Sequence, residues 1–270
     1  MIDMEEVLKH ANELKTQGKL EAAAEEYNKI LEEDSKNINA KFNLGDIYYI
    51  LGEINKSINY YKKLVEQAPN HILALYRLGI AYYRATNFSK AVEVLNMVIE
   101  SNSKIDMAYY WLGLSYYHMG KMKKSIEAFK QLRSLNEGNS LGCYHLAITY
   151  KAVGEYKKAI DCLLKIHNES PEVVSVNYHL GLAYLGVADI ENALKYFKNV
   201  IKLDSEHKAA KEKLDEILND QDMIYSYGIE IPKDEKLGKI ANNYYLGQAY
   251  KGFSLLEKSL KHFKDKLIDE

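Results

Sequence analysis

The sequence has few of the residues that stabilise small secreted domains or form tight turns. Two cysteines and three prolines occur in 270 residues, too few for a disulfide scaffold or a turn-dense β fold. Residues 1–6 are acidic and contain no apolar run, so we expect no secretory signal there. These features favour a reducing compartment, and we expect a cytoplasmic protein.

An excess of one charge and a long apolar run are also missing. The 36 Lys and Arg residues nearly balance the 38 Asp and Glu residues. A nucleic-acid-binding protein normally has a basic face, so we expect no nucleic acid partner. No stretch approaches the roughly 18 apolar residues of a membrane-spanning helix, so we expect no membrane insertion. Tyrosine, in contrast, is abundant, with 23 residues against six Phe and one Trp.

A repeat of 34 residues organises most of the chain. The pairs that define it are Leu44-Gly45, Leu78-Gly79, Leu112-Gly113, Leu146-Ala147 and Leu180-Gly181. A tyrosine follows each small residue by three positions, at 48, 82, 116, 150 and 184. A second small residue and a large one follow at fixed spacing, as Ser57 and Tyr61 do after Gly45. The repeats are 4–37, 38–71, 72–105, 106–139, 140–173 and 174–207.

Each repeat is predicted to form two helices. Apolar residues in 38–51 recur at i, i+3, i+4 and i+7, which indicates an amphipathic helix, and Gly52 marks a turn before a second one. Pro69 lies where that second helix should end. Gly45 and Ser57 are small because the two helices approach closely there, and we expect Tyr61 to fill the space beside that contact. Neither helix can bury its apolar face alone, so the repeats should stack.

The period and the small–Tyr–small–aromatic pattern over residues 4–207 resemble the tetratricopeptide repeat family. The resemblance implies an all-α, right-handed superhelical solenoid of stacked antiparallel helix pairs. It also implies a protein-interaction scaffold, without a cofactor, that holds its partner in a concave groove.

The C-terminal part departs from strict periodicity. Residues 208–219 are predicted to form an additional or capping helix, 220–239 an irregular insert, and 240–267 a seventh helix pair resembling the repeats. Within the insert, 223–231 alternates apolar and other residues, which predicts an extended segment. This segment either occupies part of the groove or packs between repeats, or it is a surface loop.

By the resemblance, one stripe of each first helix lines the groove. The candidate partner-binding residues are Phe42, Tyr49, Leu73, Tyr76, Arg77, Ile80, Tyr83, Met107, Tyr110, Trp111, Leu114, Tyr117, Leu141, Tyr144, His145, Ile148, Tyr178, His179 and Leu182. Such a large apolar surface usually marks an interaction site. The alternative is that its residues are simply buried between adjacent first helices.

The groove is predicted to prefer an apolar or amphipathic peptide over an acidic C-terminus. Related co-chaperone arrays hold a terminal carboxylate with two Lys, two Asn and an Arg. This sequence keeps Asn12, Asn43 and Arg77 at the matching positions, but Leu8 and Leu73 replace both lysines. Without these cations most of the charge-assisted hydrogen bonding to a carboxylate is lost.

No catalytic, phosphate-binding or metal-binding motif is evident in the sequence. Cys143 and Cys162 are expected in the core. His145 and His179 are expected to be polar lining rather than metal ligands, because neighbouring helices spread such rows apart. Asp46 and Arg77 lie one repeat apart and could form an ion pair. We therefore predict that the chain is not an enzyme.

The leading functional hypothesis is a scaffold or adaptor that binds a peptide, helix or partner domain. Two alternatives remain open: a self-assembling module, in which the last repeat or the groove contacts another copy, and a non-catalytic recruiting or regulatory subunit of an enzyme complex. The fold alone does not identify the partner.

Overall fold

The computed structural model describes residues 4–136 and 140–219, and all regular structure in those ranges is α-helical. The helices are α1 (Met4–Thr16), α2 (Leu20–Glu33), α3 (Ile38–Ile50), α4 (Ile54–Gln67), α5 (Ile72–Arg84), α6 (Phe88–Ser101), α7 (Asp106–His118), α8 (Met122–Leu135), α9 (Ser140–Ala152), α10 (Tyr156–Glu169), α11 (Val174–Gly186), α12 (Ile190–Leu203) and α13 (Lys208–Asn219). The all-α prediction is confirmed. The predictions for 220–239, including the segment 223–231, and for 240–267 lie outside the described residues.

The chain divides into two compact units, residues 1–149 and 150–270, with the division inside α9. In the first unit, α1 to α8 pair in sequence, and each pair also contacts the next. Two buried clusters form its core, one around Tyr27 and Leu44 and one around Leu75 and Leu95. In the second unit the core around Phe197 extends to α13. No described helix is long and apolar enough to cross a membrane.

Close contact between paired helices explains the small residues of the repeat. A Cβ atom on Gly45 would lie 2.5 Å from Cε1 of Tyr61. The Ser57 hydroxyl donates a hydrogen bond of 2.8 Å to the Gly45 carbonyl oxygen, which joins the two helices at the same point. The Tyr61 ring fills the space at this contact, as the sequence predicts, because its atoms lie where a Cβ atom of residue 45 would be.

The same contact recurs along the chain. A Cβ atom on Gly113 would lie 2.7 Å from the Phe129 ring, and one on Gly181 would lie 2.7 Å from the Phe197 ring. Ser125 donates to the Gly113 carbonyl oxygen over 2.9 Å, as Ser57 does in its own repeat. The 34-residue period therefore reproduces one packing contact within each of these helix pairs.

Prolines follow the ends of two second helices. Helix α4 ends at Gln67, two residues before Pro69, and α10 ends at Glu169, two residues before Pro171. Four glycines adopt a left-handed conformation in the turn between paired helices, with φ of 72° to 80°: Gly18, Gly52, Gly120 and Gly154. Glycine is favoured there because it has no Cβ to clash with the backbone.

Candidate functional site

The candidate groove residues lie on the first helix of each pair. In the first unit they belong to α3, α5, α7 and the part of α9 up to Thr149. We call the surface formed by these candidate residues of the first unit the first-helix face. In the second unit Tyr178, His179 and Leu182 lie on α11. Helices α3 and α5 contact each other directly, as do α5 and α7, so the first-helix face is continuous across them.

The first-helix face exposes fewer apolar side chains than the sequence suggests. Ile80 and Leu114 are only 5% and 9% exposed, whereas Leu73 and Leu141 are 49% and 41% exposed. Ile80 and Leu114 therefore follow the second interpretation of the sequence, in which residues of this stripe are buried between helices and are not available to a partner. The other candidates of this face are partly buried: Phe42, Tyr49, Tyr76, Arg77, Tyr83, Met107, Tyr110, Trp111, Tyr117, Tyr144, His145 and Ile148.

Tyrosines of this face are hydrogen-bonded to the following repeat. Trp111 donates through Nε1 to the Tyr76 hydroxyl over 3.2 Å. The Tyr110 hydroxyl and His145 Nε2 are 3.3 Å apart.

The Tyr83 hydroxyl makes the same kind of contact with His118 Nε2, at 3.0 Å. In all three pairs the partner lies 35 residues later, one position beyond the repeat period. Sequence reasoning missed these cross-repeat pairs, although a search for polar residues at a spacing of 35 would have found them.

Trp111 lies at the centre of an aromatic cluster on the first-helix face. Its ring centroid is 5.2 Å from that of Tyr83 and 5.1 Å from that of Tyr110. Tyr83 also contacts Phe88 of α6, which stacks on His118 with centroids 4.9 Å apart. Aromatic side chains held in this way present a large contact area and lose little conformational entropy on binding.

Asp46 of α3 neutralises two cations, Lys15 of α1 and Arg77 of α5. Its carboxylate lies 3.4 Å from Arg77 Nε and 3.5 Å from Lys15 Nζ. Lys15 also donates to Asn43 Oδ1 over 2.7 Å. The suggested Asp46–Arg77 ion pair is therefore present, and an incoming carboxylate would have to compete with Asp46 for both cations.

Asp46 also accepts a hydrogen bond of 2.5 Å from the Tyr61 hydroxyl. Burial is the main reason that the pKa of Tyr61 is raised, and the adjacent carboxylate raises it further. Burial, with a smaller effect of Asp46, raises the pKa of Tyr27 to about 12. Both phenols therefore remain protonated at neutral pH and act as hydrogen-bond donors.

In the second unit, Lys151 Nζ lies 2.9 Å from His179 Nδ1. An ammonium group only donates, so Nδ1 accepts and the imidazole is neutral. Burial, and then the nearby Lys151, lower the pKa of His179 to about 4. In the first unit burial likewise lowers the pKa of His145.

The remaining reactive residue types have structural positions. Cys143 and Cys162 are buried, as expected of core residues. Among the described residues, no three His, Cys, Asp or Glu side chains are grouped to hold a metal ion. The histidines of the first-helix face are instead hydrogen-bonded to tyrosines, as His118 and His145 show.

Three sequence-family models match the chain. Residues 45–85 match a model described as TPR repeat, and residues 174–207 match one described as tetratricopeptide repeat. Residues 86–166 match the model of anaphase-promoting complex, cyclosome, subunit 3. No curated protein matches the sequence in a direct comparison.

Solved structures share the fold. The crystal structure of MamA is 26% identical in sequence, with a TM-score of 0.59, and the match covers 64% of this chain and 94% of MamA. YrrB, described as a TPR protein with an unusual peptide-binding site, is 18% identical with a TM-score of 0.62, covering 70% of this chain and 98% of YrrB. PilF of Pseudomonas aeruginosa is 16% identical with a TM-score of 0.63, covering 78% and 96%.

The last two similarities concern the fold alone, but they agree with the repeat matches and with the helix pairs described above. The chain is a member of the tetratricopeptide repeat family.

Proposed function

We propose that the chain is a non-catalytic scaffold that binds a peptide, helix or partner domain on the first-helix face of its first unit. The observation that carries this proposal is the exposure of Leu73 and Leu141 on a face otherwise formed by partly buried aromatic side chains. Exposed apolar side chains beside rigid aromatic ones are typical of the energetically dominant part of an interface.

The charges on this face favour an apolar or amphipathic partner. Asp46 already engages Lys15 and Arg77, so a terminal carboxylate would gain little net charge-assisted bonding. Leu73 lies on α5 with Arg77, one helical turn away. A partner with an apolar residue over Leu73 and a polar residue near Arg77 would satisfy both side chains.

A non-catalytic role is consistent with how the potential acid–base groups are used. The imidazoles of His118 and His145 are engaged with tyrosine hydroxyls, and the Asp46 carboxylate is engaged with two cations and a phenol. Groups held in this way stabilise packing between repeats. A recruiting subunit of an enzyme complex would use the same face. The buried cysteines suit a reducing, cytoplasmic environment.

Substitution of Leu73 tests the proposed face. A peptide selected from a random display library on the wild-type protein, labelled for fluorescence anisotropy, should bind Leu73→Lys at least about tenfold more weakly, because a charge replaces a contact in the centre of the interface. Met97→Lys is the matched control, since Met97 is 40% exposed but lies on α6, a second helix. Equal affinity for wild type and Leu73→Lys would refute the proposed face.

Light scattering distinguishes a foreign partner from a second copy of the chain. A mass that stays constant with concentration, together with the expected anisotropy result, supports the scaffold. A mass that rises for the wild type and Met97→Lys, but not for Leu73→Lys, would show that the partner is another copy.

A further inference from the structure

A cavity of about 810 Å³ opens between α2 and α4, and none of its lining residues is among the candidate groove residues. Its wall is formed by residues of α2 and α4, by the turn after α2, and by Lys41 at the start of α3. This volume is within the range of sites that hold small molecules. The chemistry of the cavity depends on Lys41.

Lys41 is 9% exposed, which is unusual for a lysine. It occupies the repeat position of Leu75, Cys143 and Asn177, which are all buried and uncharged. An uncharged side chain therefore suits this position in the fold. A lysine here places a positive charge where its desolvation costs free energy unless a partner compensates it.

The protein supplies Lys41 with a neutral partner. The ammonium group donates to Gln67 Oε1 over 2.5 Å. No carboxylate among residues 4–136 and 140–219 lies within ion-pair distance of Lys41. An ammonium group has three donors, so one amide oxygen leaves it with unused hydrogen-bonding capacity and an uncompensated charge.

Gln67 is itself held in place. Its Nε2 donates to the Lys36 carbonyl oxygen over 2.6 Å, which fixes the amide with its oxygen towards Lys41. The ammonium position is therefore defined before any ligand binds, and a preorganised donor binds more tightly than a mobile one.

The rest of the lining suits an anion with an apolar body. Lys36 and Lys63 add positive charge at the wall, against Glu32 and Glu66, so three lysines face two carboxylates there. Leu31 supplies an apolar contact to the same wall.

Tyr60 supplies an aromatic surface, and its hydroxyl is fixed by donation to Asn28 Oδ1 over 3.1 Å. We propose that this cavity is a binding site for a small molecule that carries a carboxylate or phosphate group, with the anionic oxygens on Lys41 and the body of the ligand against Tyr60 and Leu31.

Two probes test the site and distinguish the two anions. Inorganic phosphate and benzoate are titrated separately into the full chain at constant ionic strength, while backbone amide shifts are followed by NMR. Saturable shifts at Lys41, Gln67 and Tyr60 with either probe support the proposal, and the probe that saturates identifies the preferred anion. If neither probe gives saturable shifts at these residues, the proposal is wrong.

Two variants connect binding to the buried charge. Lys41→Leu introduces the residue that the next repeat has at this position, Leu75. It should weaken binding by about tenfold to a hundredfold, because it removes the charge-assisted hydrogen bond from the ammonium group to the anion. Gln67→Glu should weaken binding similarly while keeping Lys41, because its carboxylate neutralises the ammonium group.

Lys62→Leu is the control, since Lys62 is exposed on α4 and does not line the cavity. Its affinity should remain that of the wild type. Wild-type affinity in either Lys41→Leu or Gln67→Glu would overturn the assignment.

Discussion

Thr86 and Ala188 occupy turn positions where other repeats have glycine. Their φ angles are 57° and 60°, close to those of Gly52 and Gly120 at the equivalent positions. A residue with a Cβ atom loses roughly 1–2 kcal/mol in this left-handed conformation. The turn is kept because the helices on both sides determine its path, so each of the two residues reduces the stability of its own repeat.

Thr86→Gly should therefore raise the free energy of unfolding by about 0.5–1 kcal/mol, since relief of the left-handed strain exceeds the added flexibility of the unfolded chain. Urea denaturation followed by circular dichroism measures the change. Ala85→Gly is the matched control, because Ala85 has φ of −76° and has no such strain to lose. It should be neutral or destabilising, and a gain as large as that of Thr86→Gly would contradict the explanation.

His179 should make stability depend on pH in the acidic range. Burial and Lys151 lower its pKa to about 4 in the folded chain, below the ordinary value of 6.5. Between these values the unfolded state binds more protons, so stability falls as the pH decreases from 6.5 towards 4. At pH 5 the loss due to this group should be about 1–2 kcal/mol relative to pH 7.

The variant His179→Gln should remove this part of the pH dependence in urea titrations at pH 7 and pH 5. Lys151→Met should only reduce it, because burial is the larger cause and the lysine charge the smaller one. Identical pH dependence in wild type and His179→Gln would show that another group dominates acid unfolding.

At the scale of the helix pair, the small residue and the ring opposite it should act as one unit. A methyl group on Gly113 would lie 2.7 Å from the Phe129 ring, so Gly113→Ala should cost about 1–3 kcal/mol through overpacking. Phe129→Leu replaces the ring with the side chain that faces Gly79, namely Leu95. The double variant should lose less stability than the sum of the two single variants.

The measurement is a double-mutant cycle from urea denaturation, and a coupling of about 0.5 kcal/mol or more supports direct contact. Gly113→Ala combined with Thr86→Gly is a suitable control pair, since Thr86 lies in a different turn and not at the Gly113–Phe129 contact. Additive effects in the Gly113–Phe129 cycle would contradict the packing explanation.

The sequence predicts the helix pairs well because their determinants lie within one repeat. Gly45, Ser57 and Tyr61 are a few turns apart on facing helices, so their spacing is sufficient to predict close contact. The burial of Ile80 and Leu114 depends instead on how closely successive repeats stack, and no spacing within a repeat determines that distance. The sequence therefore overestimates the exposed apolar area of the first-helix face, and the role of this face in binding a partner stays a prediction.

The cross-repeat hydrogen bonds show the same limit. Tyr110 and His145 belong to different repeats, and the spacing of 35 residues between them indicates a contact only once the stacking offset between repeats is known. The buried charge of Lys41 was missed for a different reason, since a charged residue at an apolar repeat position looks like ordinary surface variation in the sequence. The structure adds two facts that the sequence does not contain: Lys41 is buried, and it lines a cavity.

At the scale of the whole molecule, stability should be distributed repeat by repeat. Each repeat of such an array contacts its neighbours only, so the free energy of unfolding is approximately a sum of repeat and nearest-neighbour contributions. Trp111 is the single tryptophan of the chain and lies in the repeat 106–139, so tryptophan fluorescence reports the unfolding of this repeat. Circular dichroism, in contrast, reports all helices together.

Two equivalent substitutions should thus give different signals. Phe129 and Phe197 occupy the same repeat position and are both fully buried, and truncation of either to alanine should cost about 3–5 kcal/mol locally. Phe129→Ala, in the repeat of Trp111, should lower the urea midpoint of tryptophan fluorescence at least as much as that of circular dichroism. Phe197→Ala should lower the midpoint of circular dichroism while shifting that of fluorescence clearly less, because the repeats 106–139 and 174–207 are not neighbours in sequence. Equal shifts of both signals in Phe197→Ala would mean that the array unfolds as a single cooperative body, and the nearest-neighbour description would then not hold for this chain.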